Sequence, residues 1–230
     1  TINLTKQLNP DRISFYSYAH VPWIKGVGQR GFHDEDLPSP ELKRALYEEG
    51  KQMFEDMGYF EVGMDHFALE QDSMYQSMKN DTLHRNFMGY SSSKTQLMVG
   101  LGVSSISDSW YSFAQNEKTV EEYEKSINNG ELSVFKGHIL SEEDLIMRRH
   151  ILNLMCNLQT SWADENAKIN DVDRIKAMLQ GMVNDGLIEF VQDGLIVKEE
   201  GRPFVRNVCM PFDKRMIDNE PETRIFSMTI

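Results

Sequence analysis

Cysteine is nearly absent from this 230-residue chain: Cys156 and Cys209 are its only two. A pair cannot build a disulfide framework, and their long separation is not a metal-site spacing. No apolar run approaches the eighteen or so residues that a membrane helix requires, so membrane spanning is not expected. No P-loop, G-x-S-x-G or H-E-x-x-H motif occurs, which removes the commonest nucleotide-hydrolase, serine-hydrolase and zinc-protease signatures. Positive charge is also short. Twenty-four Lys and Arg face 36 Asp and Glu, a formal net charge of −12. Such a surface repels phosphate backbones, so a nucleic-acid partner is not expected.

What remains is ordinary in mixture, with 40% hydrophobic and 26% charged residues. That balance suits a globular protein able to bury a sizeable core. The cytoplasm is the expected compartment. The chain starts at Thr1 without a methionine, which fits an excised piece of something longer or a trimmed chain; no basic-then-apolar leader follows, although one could have been removed.

The first half alternates strand and helix patterns. Residues 12–18 (RISFYSY) are β-rich. LPSPE then opens a helix, with Ser39 as N-cap and Pro40 in the first turn. Leu42, Ala45, Leu46, Met53 and Met57 follow at helical spacing, and Gly58 supplies a stop. YFEVGMD reads as the next strand. This rhythm predicts the βαβ unit of a parallel sheet. Residues 71–100 suggest loops around a short helix, and GLGVSSIS (100–107) a strand and turn. Thr119 and Glu122 cap a further helix ending near Asn129-Gly130.

The second half changes character. Ser141 and Asp144 form a capping pattern, with Leu140 and Leu145 placed as a hydrophobic staple. Another helix runs from Asp171 to Gly186. LIEFV-QDG-LIVK predicts a β-hairpin turning at Asp193-Gly194. Helices followed by a hairpin suggest a winged-helix-like unit. It carries no basic recognition helix, which favours a structural role.

Candidate site residues sit at strand ends. Asp65-His66 ends YFEVGM, where parallel α/β folds place ligands; the plainer alternative is a capping Asp65 and a His66 bonded to a neighbour. Tyr18-Ala19-His20 has the same placement, so His20 and His66 could meet across one mouth. Arg85, beside Phe87 and Tyr90, could clamp a carboxylate bidentately, or form a surface ion pair. Arg148-Arg149 reads as a solvated helix face, and Cys209 as a small buried hydrophobe.

Taken together, DRISFYSYAHVPW, DLPSPELK, GMDHFA, LHRNFMGYSSS, GLGVSSISD, SEEDLIMRRHILNLMC and GRPFVRNVCMPFD resemble, in wording and order, the oxygen-independent coproporphyrinogen III oxidases. The resemblance spans about residues 9–213 and covers the C-terminal portion of that family. It implies an α/β fold: residues 1–135 as late β/α units of an incomplete, TIM-like radical S-adenosylmethionine barrel, and 136–230 as a mainly helical, winged-helix-like domain. The family uses a 4Fe-4S cluster to cleave S-adenosylmethionine, and the resulting radical converts two propionates of coproporphyrinogen III to vinyl groups, giving protoporphyrinogen IX. The family's C-x-x-x-C-x-x-C cluster motif is absent here, so the resemblance implies a chain inactive without the missing N-terminal half.

Two positions carry over from the family's S-adenosylmethionine site: Ala19, with its backbone open to the adenine, and Ile106, packed on that ring. Met88 stands where the family has glutamine for a second S-adenosylmethionine. Arg85 and His66 are the candidate substrate-binding residues; Arg85 as a propionate clamp is a reading of the residues rather than of the family. A severed parallel sheet would expose an edge, so self-association is expected. A non-catalytic porphyrin- or partner-binding module is the rival from another class, and a haem-chaperone-like paralogue a third reading that RNVCMPFD argues against.

Overall fold

The computed structural model describes residues 1–23, 28, 29, 31 and 33–218. Helix α1 (Ile2–Leu8) and strand β1 (Arg12–Ser14) precede helix α2 (Pro40–Glu55), then β2 (Tyr59–Val62) and β3 (His66–Leu69). The start of α2 follows its sequence signals: Ser39 Oγ accepts the Leu42 N–H at 3.2 Å, and Pro40 occupies the first turn. Its buried face does not. Tyr47, Gly50 and Phe54 point inward, while Leu42 and Leu46 are 51% and 49% exposed. The Phe15 ring decides the orientation. A Cβ on Gly50 would lie 2.4 Å from Phe15 Cζ, so only a bare backbone lets the ring in. Phe15 then meets Tyr47, Phe54 and Phe67 in an aromatic cluster, which outweighs a wider stripe of Leu and Met.

The parallel sheet expected of this half is not found. All strand pairs among the described residues are antiparallel. β2 and β3 are joined by only Gly63, Met64 and Asp65, too few for a parallel crossover. Gly63 (φ 62°) and Asp65 (φ 61°) turn the chain straight back. The sheet order is β1-β3-β2, so β1 and β2 run the same way with β3 between them. The strand–helix–strand rhythm was read correctly; the inserted third strand was invisible to it. β1 also stops at Ser14, short of the RISFYSY run.

Helix α3 (Ser73–Lys79) is capped by Asp72, whose carboxylate accepts the Met74 N–H. Strands β4 (His84–Asn86) and β5 (Gly89–Ser91) make a separate hairpin. β6 (Leu97–Met98), β7 (Ile106–Ser109), β8 (Ser112–Asn116) and, after helix α4 (Val120–Asn128), β9 (Val134–Ile139) form a four-stranded sheet in sequence order. Position 135 lies inside β9, which is bonded to β8.

The last part is built on α5 (Glu142–Asn157), opened by a reciprocal Ser141/Asp144 capping box. β10 (Gln159–Ser161), α6 (Val172–Asn184), β11 (Ile188–Val191) and β12 (Gly194–Val197) follow, with sheet order β10-β12-β11. The hairpin loop is Gln192-Asp193, one residue earlier than expected, because Val191 pairs with Gly194. Short helices α7 (Val205–Cys209) and α8 (Lys214–Asp218) end the described chain; residues 219–230 of the expected C-terminal unit lie outside it. Met147, Leu154, Ile175, Leu179, Ile188, Leu195, Val205, Val208 and Phe212 form its core. The fold is thus a mixed α/β arrangement of three sheets, a hairpin and packed helices.

Candidate functional site

A cavity of about 310 Å³ opens between the loop after β1, helix α2, the β2–β3 turn, the β4–β5 hairpin, α5 and α7. Tyr90, on β5, organises it. Its hydroxyl donates to the Met155 carbonyl of α5 at 2.9 Å and accepts the Met64 N–H at 3.2 Å, pegging the turn to the helix. A Cβ on Gly63 would fall 2.2 Å from Tyr90 Cζ, so the ring needs a glycine there. Burial pushes the Tyr90 hydroxyl well above its ordinary range, which keeps it a neutral donor.

His66 stands with its ring edge-on to Tyr90, 5.3 Å between centroids. Its Nδ1 lies 2.8 Å from the Met64 carbonyl oxygen. A carbonyl can only accept, so Nδ1 carries a proton and donates it, leaving Nε2 for another partner. Arg85 also stacks over Tyr90, Cζ 5.7 Å from the ring centre. Its Nε is buried and has no hydrogen-bond partner among the described residues, an orphan that asks for an acceptor.

The acidic groups of the cavity differ in state. Glu61 is held by Lys51 at 2.7 Å and by Arg202 at 3.4 Å, and Tyr47 donates to it at 3.3 Å. Asp65 forms no ion pair of that kind among the described residues. Burial, reinforced by nearby Glu61, pushes its carboxyl upward, while Arg206, His66 and Tyr47 pull the other way. Its left-handed backbone adds local strain.

Ala19, His66 and Arg85, three of the four residues singled out from sequence, line this one cavity. Ile106 does not. It pairs with Gln115 in the four-stranded sheet and lies against Gly100. The Ala19 carbonyl already accepts from Gln29 at 3.0 Å. The Gly100-Leu101-Gly102 segment is likewise occupied by its own protein: Asn116 bonds both glycine carbonyls and Tyr123 the Gly102 N–H. His20 is buried beside Tyr18 and is not among the cavity's lining residues. Arg206, on α7, was missed; nothing in FVRNV separates it from a surface arginine.

Arg148 is no solvated side chain. It is 14% exposed and pairs with buried Asp108 at 2.7 Å. It also donates to the Ser109 and Trp110 carbonyls and lies between the Trp110 and Phe113 rings. A register of charge along α5 gave no hint of it, because the partners arrive from a different sheet.

The two cysteines are buried. Desolvation pushes the Cys156 thiol up to about 11 and the Cys209 thiol up to about 12. Metal ligation needs thiolate, so this donor set does not fit an iron–sulfur cluster. Cys209 behaves as the small buried hydrophobe expected.

No protein-family profile matches the chain. Its fold is similar to a radical S-adenosylmethionine enzyme: superposition on the coproporphyrinogen III oxidase of Escherichia coli gives a TM-score of 0.85 at 33% identity, over 94% of this chain and 50% of that one. The relatives by sequence bear a more particular name. Oxygen-independent coproporphyrinogen III oxidases of Escherichia coli, Synechocystis and Helicobacter pylori are 34%, 34% and 33% identical, over 93%, 100% and 100% of this chain. The chain resembles those oxidases along nearly its whole length, and spans about half the length of each.

Proposed function

We propose that this chain is the C-terminal part of an oxygen-independent coproporphyrinogen III oxidase, the enzyme that oxidatively decarboxylates two propionates of coproporphyrinogen III in haem biosynthesis. The observation that carries the reading is the convergence of Ala19, His66 and Arg85 on one cavity in a chain that matches half of each such oxidase. Arg85 offers a guanidinium fork to a propionate, His66 a hydrogen-bonding Nε2, and Tyr90 a rigid apolar wall beside them. Ala19 would meet S-adenosylmethionine at the cavity rim, with one carbonyl lone pair left beside Gln29. Ile106 would contribute only if another part of the parent brings the nucleoside to β7.

The 4Fe-4S cluster that such an oxidase needs would be held by the N-terminal half of the parent, since no cysteine here suits it. The chain alone is therefore inactive. With a low-potential reductant, the purified chain should not cleave S-adenosylmethionine; cleavage above the protein-free control would refute this assignment of the cluster. The N-terminal part of this chain would be late barrel units, although its described strand pairs are antiparallel. The order α5, β10, α6, β11, β12 supports a winged-helix-like reading of the C-terminal part, with its boundary moved from 135/136 to the end of β9. No described helix is long and apolar enough to cross a membrane, which agrees with the cytoplasm as working compartment. A non-catalytic porphyrin-binding module stays as the second reading, because the cavity is formed here without the cluster-binding residues. Activity of the chain rejoined with its missing half separates the two.

A further inference from the structure

The cavity holds more positive charge than its protein partners use. Three arginines line it: Arg44, Arg85 and Arg206. Arg44 is paired with Glu48 on its own helix. Nearby Arg202 is spent on Glu61 and Glu199. Neither Arg85 nor Arg206 has a carboxylate within ion-pair distance among the described residues. In a chain with 36 acidic and 24 basic residues, two guanidiniums on one cavity with no ion pair among the described residues are a notable surplus. Guanidinium cannot shed its charge, so the surplus is permanent.

We propose that Arg206 and Arg85 form a two-armed clamp for a ligand bearing carboxylates on separate arms. They arrive from different elements, Arg85 on β4 and Arg206 on α7, and Tyr90, Met64 and Met155 line the same cavity. A flat apolar body with acidic side arms matches a lining that combines two guanidiniums with an aromatic ring and two methionines. Burial raises the Asp65 carboxyl and outweighs the pull of Arg206, which weakens Asp65 as a competing anion. The clamp rests on the cavity reading above and adds to it a residue, Arg206, and a requirement for two carboxylates.

The test is a fluorescence titration of the whole chain with coproporphyrin III, the stable oxidised form of the porphyrinogen, and with its tetramethyl ester. The acid should bind with an affinity that falls with salt, and the ester about tenfold or more weaker. Arg206→Gln and Arg85→Gln should each weaken the acid about tenfold or more. Arg206→Lys, which keeps charge without the fork, should fall between. Circular dichroism checks that each variant is folded. If Arg206→Gln binds within about twofold of the parent chain while Arg85→Gln is weakened, the clamp is wrong and the cavity reading survives. If the unmodified chain does not bind the acid, or both variants bind it unchanged, both fail together.

Discussion

The helical C-terminal part and the four-stranded sheet beside it are held by different forces. Between Met147 and Phe212, fourteen buried side chains form one continuous core. Between residues 97 and 139 only Asp108 and Ser133 are buried, while Leu101, Leu132 and Ile139 lie open. The first region is stabilised by apolar area removed from water. The second is a hydrogen-bonded ladder fastened to α5 through Arg148 and Asp108. Polar attachment is directional, so it fixes where the sheet sits; it adds little stability beyond the desolvation it costs.

The contrast can be broken first in the core. Leu154→Ala, at a site fully shielded from solvent, should cost about 3 kcal/mol or more in urea unfolding. Val134→Ala in the sheet should stay within about 0.5 kcal/mol; equal losses would erase the distinction. Next comes the fastening. Arg148→Met leaves the Asp108 carboxylate buried without its cation, an expected loss of about 3 kcal/mol, and should speed limited proteolysis within 97–139 ahead of 147–212. Adding Asp108→Asn should recover part of that loss.

A smaller effect sharpens the comparison through pH. His150 is buried with Nε2 2.8 Å from the Ala167 carbonyl oxygen and Nδ1 2.7 Å from Thr160 Oγ1. Nε2 therefore donates and Nδ1 accepts, and the ring is neutral. Burial holds its pKa below the ordinary 6.5. The unfolded chain thus binds a proton first, and the stability from His150 is lost as pH falls from about 6.5 through the lower folded value. Chemical denaturation across that window should show the core weakening, and His150→Gln should flatten the slope; an unchanged slope would move the acid sensitivity elsewhere. The smallest stability change belongs to β9. Ile139 is 81% exposed on this edge strand of the sheet. Ile139→Lys should leave stability within about 0.5 kcal/mol yet lower any self-association seen by light scattering. The expected sticky edge is thus moved from a severed parallel sheet to β9.

Local signals were legible wherever a few neighbouring residues settle the matter. Ser39-Pro40, Thr119, Ser141 with Asp144, and Asp171 all cap the helices they announced. Of the candidate site, Ala19, His66 and Arg85 could be read because strand ends and an arginine beside aromatics are visible in one dimension. Arg206 could not, since only the fold brings α7, some 120 residues further on, to the cavity that β4 also lines.

Alone, then, the chain's order of residues determined its helix caps, its terminal hairpin, its resemblance to half of an oxidase and its lack of cluster-binding cysteines. Those are matters of composition and of contacts a few residues apart. Only the tertiary structure decided that β3 separates β1 from β2, that Phe15 turns α2 onto its aromatic face, that Arg148 serves as a fastening, and that Arg85 and Arg206 share a cavity. Each depends on groups far apart in the chain meeting in space, and neither periodicity nor charge count carries that distance.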